Sequence, residues 1–195
     1  MTTPTITATS GSATANSYCT KAEADTYFNE RLPLAPPWED AEVPEAALIM
    51  ACRVLDAAFR PQRLFVPANA GHEAYYRVRR TWSGLPATVT QKLAWPRTGM
   101  QDQNGNALDS AVIPDALKEA QSELAGQLLK GDRTLDNDVI VQGIASLRAG
   151  PVSLSFKDSG VFAQVIPDAV WNLMPPSWFI NEYIEPAYRA EFDVV

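Results

Sequence analysis

Apolar positions recur at helical spacing in three stretches before residue 131, and the period changes after it. Ala24, Tyr27, Phe28 and Leu32 share one face of a first helix. It opens on Thr20-Lys21-Ala22-Glu23, a capping box in which hydroxyl and carboxylate satisfy free backbone amides reciprocally, and Pro33 ends it. Leu48, Ala51, Cys52, Leu55 and Phe59 form the stripe of a second helix. That helix begins at Pro44, where a missing amide is no loss, and stops at Pro61. The third and strongest pattern covers 114–130, with Leu117, Ala120, Leu124 and Leu128 on one face and Gly131 as a left-handed stop. A short helix is expected over 88–95, ending before Pro96 because the residue preceding proline avoids the helical region.

Other stretches carry different signals. Asn104-Gly105 marks a tight turn. Val139, Val141 and 144–147, then Gly150-Pro151, then alternating Val152, Leu154 and Phe156 predict a β-hairpin arm within 132–165. Residues 1–17, rich in Thr, Ser and Ala without periodicity, are expected as a flexible arm. Residues 60–87 interrupt the helical core, with a short strand or helix around 75–82. Residues 166–195 hold two short helical pieces divided by Pro175-Pro176. The fold class expected is mainly α: a small helical bundle over 18–131, with a β-hairpin arm and extended N- and C-terminal segments.

At 195 residues and 46% hydrophobic, the chain can bury a sizeable core as one domain with extensions. It has neither an apolar run of the roughly 20 residues that span a bilayer nor a leader-like start, which points to a cytoplasm and no membrane partner. Cys19 and Cys52 form no metal-type cluster and are expected as structural thiols. The net charge of −7 disfavours a general nucleic-acid binder, yet it is unevenly distributed. Between Ala57 and Met100, seven basic residues (Arg60, Arg63, Arg77, Arg79, Arg80, Lys92, Arg97) stand against one acid, Glu73, a balance of +6 that leaves −13 elsewhere.

Candidate chemistry is sparse. A hydrolytic triad would have to use His72, the single histidine, which sits in an Ala/Gly-rich loop with no partner to converge on. Residues 102–106 lack the glycine position and the final glutamate of a calcium loop, so an Asx-type turn is the better account. Glu39, Asp40 and Glu42 read as a solvated acidic run. No catalysis, cofactor or metal is expected.

Two binding candidates survive. Residues 75–82 interleave aromatics with Arg77, Arg79 and Arg80, which suits single-stranded DNA, where bases stack on rings and arginines follow phosphates. The same letters also suit a β-edge pairing with a neighbouring subunit's acids. The C-terminal tail carries Trp178, Phe179, Tyr183, Tyr188 and Phe192, either folded back on its own core or docked on another protein as aromatic anchors.

The order of TKAEADTYF, AALIMACRVLDAAF, QKLAWPRTG, IPDALKEAQSELAGQLL and GPVSLSF, across 17–156, resembles the head–tail adaptor (connector, head-completion) proteins of long-tailed bacteriophages, often labelled DnaT-like ssDNA-binding proteins. The resemblance implies an oligomeric ring of about twelve copies. It also implies a portal protein and a tail-side stopper or tail terminator as partners, non-specific contact with packaged DNA, and a place in the virion neck after assembly in the host cytoplasm. A replication accessory that binds single-stranded DNA through 75–82 is the alternative.

Overall fold

The computed structural model describes residues 3–33, 38–59, 79–131, 146–149, 152–155 and 165–182. Those residues form a mainly α fold with short strands in three two-stranded sheets. The helices are α1 (Lys21–Asn29), α2 (Pro44–Ala58), α3 (Asp115–Lys130) and α4 (Asp168–Trp171). The strands are β1 (Arg79–Trp82), β2 (Leu85–Pro86), β3 (Arg97–Thr98), β4 (Ser146–Ala149), β5 (Val152–Ser155) and β6 (Phe179–Glu182).

The capping box at Thr20 forms as its letters predict, with the Glu23 amide donating to Thr20 Oγ1 and the Thr20 amide to Glu23 Oε2. The helix ends sooner than its apolar spacing suggested, at Asn29, which leaves Leu32 84% exposed instead of on the buried face. α2 buries Leu48, Ala51, Cys52 and Leu55, with Phe59 just past its end. It packs most extensively on α3.

α3 is central rather than one-faced. Besides Leu117, Ala120 and Leu124 it buries Gln121, Ser122 and Glu123, because α1, α2 and α4 all lie against it. Gln121 ties three segments together, accepting the Tyr18 amide at 2.8 Å and donating to Ser17 Oγ at 2.6 Å and Leu48 O at 2.9 Å. Gly131 does not supply the expected left-handed stop; its φ of 169° is extended backbone.

Three further expectations need correction. Residues 88–95 form turns and bends, not a helix. Their donors have tertiary partners instead: the Lys92 amide goes to Ser12 O, and the Ala94 amide to the Asp56 carboxylate. The described part of the expected flexible arm folds onto the molecule. Ser10 Oγ donates to Ala111 O at 2.7 Å, Asn16 bridges to Thr5 and Thr7, and Ala15, Ser17 and Tyr18 are buried. The first half of the expected docking tail closes the core through Ile166, Val170, Met174 and Trp178. In the predicted hairpin region β4 and β5 pair antiparallel, Ala149 opposite Val152. Residues 139, 141 and 156 lie outside the described residues.

Candidate nucleic-acid interface

The basic segment meets the C-terminal segment in a two-stranded antiparallel ribbon. β1 pairs with β6 in the register Arg79 to Glu182, Arg80 to Asn181, Thr81 to Ile180 and Trp82 to Phe179. The ribbon continues into the core, where the Trp82 amide donates to Phe59 O and the Ser83 amide to Trp178 O at 2.8 Å. Arg79 and Arg80 are thus placed on a strand, with an acidic residue opposite the first. Arg77, His72, Tyr183, Tyr188 and Phe192 lie outside the described residues.

The aromatic residues of this ribbon face inward. Trp82 packs on Phe59 (4.5 Å between centroids), Phe179 (5.0 Å) and Trp95 (5.6 Å). Trp178, at 1% exposure, lies 4.7 Å from Trp95 and donates its indole N–H to Gln101 O at 2.9 Å. Phe179 also meets Trp171. The cluster joins α2, the 82–95 loop and the C-terminal segment, so Trp82 is no stacking platform for bases. Trp178 and Phe179 are anchors for their own chain, the first of the two placements open to them.

The basic band is divided by folding. Arg97, the first residue of β3, is 9% exposed. Its guanidinium donates to Ser83 O at 2.6 Å, Gly84 O at 2.8 Å and Ala94 O at 3.1 Å. A planar fork of five N–H groups suits three carbonyls at fixed angles. Burial lowers its pKa somewhat, while nearby Tyr18 and Asp56 act in the opposite sense. Lys92, by contrast, is exposed.

Beneath Arg97 lies a polar group that the sequence did not single out. Asp56, on the buried side of α2, accepts the Tyr18 hydroxyl and the Ala94 amide. Burial, then the Asp56 charge, pushes the Tyr18 phenol well above its ordinary value, so it remains a donor. The available signal was an acid four residues past Cys52 in an apolar stripe, which demands an internal partner.

The remaining candidates behave as structure. Asp102 accepts the Asn104 and Asn106 amides and the Asn106 side chain, so the turn consumes its own carboxylate, and Gly105 sits at φ +84°. Glu39, Asp40 and Glu42 are exposed. Cys19 and Cys52 are buried free thiols. Burial pushes Cys19 up to about 11 and Cys52 further, which suppresses the reactive thiolate. Among the described residues no group of three or more His, Cys, Asp or Glu is placed to hold a metal ion, and no helix is long and apolar enough to cross a membrane.

No curated protein and no solved structure matches the chain. A family model described as "Putative DnaT-like ssDNA binding protein" matches residues 5–177, which takes in every described helix and the tryptophan cluster up to its C-terminal edge. The chain belongs to that DnaT-like family.

Proposed function

We propose that this protein is a non-catalytic connector, one subunit of an oligomeric ring beneath the phage portal that joins the DNA-filled head to the tail. The observation that carries the reading is the use of the chain's aromatic and basic residues. Trp82, Trp95, Trp178 and Arg97 are consumed in binding the 82–100 loops to the C-terminal segment. Buried in this way, Trp82, Trp95 and Trp178 offer bases no stacking surface. The block order across 17–156 supplies the phage assignment. Partners on this reading are further copies of the chain, the portal, and a tail-side stopper or terminator. Arg77, Arg79 and Arg80 then meet packaged DNA or a neighbouring subunit's acids.

A second reading is favoured by the family description, which names single-stranded DNA binding. On it, Arg77 and the β1 arginines Arg79 and Arg80 follow phosphates in a replication accessory protein. One pair of measurements separates the two. Disrupting the gene in its phage is expected to leave separate heads and tails by electron microscopy. Joined virions in reduced number, with less phage DNA in the cell, would overturn the connector. Oligonucleotide binding at physiological salt is expected to be weak and unchanged in Arg79→Ala/Arg80→Ala. Tight binding lost in that variant would establish the DNA-binding reading.

A further inference from the structure

Helix α1 is joined to α3 chiefly by charge, and to the 38–40 segment by the Trp38 indole, which donates to Asp25 Oδ1 at 2.8 Å. Of its nine residues only Ala24 is buried. Its main ring contact outside itself is Phe28 stacked on Trp38, 4.3 Å between centroids. Two ionic attachments hold it to α3. Near its start, Lys118 Nζ donates to Glu23 Oε1 at 2.9 Å. Beyond its far end, Arg31 grips Glu123 with both Nε (2.6 Å) and Nη2 (2.9 Å), and the Tyr27 hydroxyl adds a third bond at 3.0 Å. Between the two helices lies a cleft of about 220 Å³ lined by Glu23, Glu30, Asp115, Lys118 and Glu119. The α2–α3 seam is mainly apolar, crossed by the Gln121–Leu48 hydrogen bond; the α1–α3 seam is charged and borders the cleft.

We propose that α1 is an electrostatic strap, a helix that lifts from α3 when its two attachments are neutralised while the α2–α3 core stays folded. This does not depend on the connector reading. The pivot is the segment just before α1, where Tyr18 and Cys19 are 1% and 0% exposed and stay embedded. The two attachments differ in what releases them. Lys118 and Glu23 have side chains 23% and 42% exposed, so dissolved salt screens them. The Glu123 side chain is 3% exposed, so salt reaches it poorly and a proton is needed instead. The groups facing Glu123 are Tyr27 on α1, Arg31 just past its end, and Gln127 on its own helix. Lys118 faces Glu23 and Asp115. Burial, then the Glu123 charge, pushes the Tyr27 phenol up to about 12, so Tyr27 remains a donor throughout an acid titration.

Amide hydrogen exchange on the full chain, corrected for intrinsic rates, tests this. Moving from low salt at neutral pH to about 1 M NaCl, or to about pH 3, is expected to cut protection of α1 amides about tenfold while interior amides of α2 and α3 change less than about twofold. Arg31→Met, which alters only the partly exposed end of the latch, is expected to reproduce the acid effect at neutral pH. Lys118→Met is expected to reproduce the salt effect. Equal loss of protection in α1 and α3 would overturn the strap, as would an Arg31→Met protein whose α1 is as protected as the native helix.

Discussion

Arg97 shows how one side chain can be read as surface and yet be interior. Its letter contributes to a basic band, but its guanidinium is fixed by three backbone carbonyls from two loops. Lysine would bring the same charge without the planar fork and would leave at least one carbonyl unpaired. Arg97→Lys is therefore expected to lower unfolding stability by about 1–3 kcal/mol. The check is a lower urea midpoint with an unchanged slope. Asp56 makes the complementary case. Asp56→Ala would strand the buried Tyr18 hydroxyl and the Ala94 amide, for an expected loss of about 3 kcal/mol. Neither role was legible in the sequence. Both depend on groups distant along the chain: Ser83 lies 14 positions from Arg97, and Tyr18 and Ala94 each lie 38 from Asp56.

Among the elements, legibility followed locality. The α1 cap, the α2 stripe and the extent of α3 each depend on residues within a few positions, and the structure keeps them. Residues 88–95 failed as a helix because their amides are claimed from outside, by Ser12 and Asp56. The α1–α3 seam gives a pH prediction. Burial pushes the Glu123 carboxyl up, but Arg31, Gln127 and Tyr27 favour its ionised form and hold it below the ordinary value of 4.5. A folded pKa that is depressed contributes stability above the unfolded pKa and loses it as pH falls through the folded one. The urea midpoint should therefore hold from pH 7 to about pH 5 and fall below about pH 4.5, with Glu123→Gln flattening that part of the curve. A midpoint in the native protein that rises on acidification would contradict the assignment.

For the molecule as a unit, the decisive feature is the tryptophan cluster that joins α2, the 82–100 loops and the segment around β6. Trp178→Ala removes a fully buried indole and its bond to Gln101, and is expected to lower stability by about 3–5 kcal/mol. Were Trp178 a docking anchor instead, thermal unfolding of the isolated protein would barely change. Loss of stability in isolation thus separates an internal anchor from a partner contact. The same cluster explains why the C-terminal tail was only half legible: Trp and Phe beside prolines suit a core edge and an interface equally well.

By itself the sequence determined the mainly helical class, the three long helices, the Asp102–Asn106 turn and the absence of a recognisable catalytic motif, because periodicity, caps and turn residues act over a few positions. The tertiary structure decided which aromatic and charged residues are interior. Burial of Trp82, Trp178, Arg97, Asp56 and Glu123 is set by partners distant along the chain, and only folding brings those partners within bonding range.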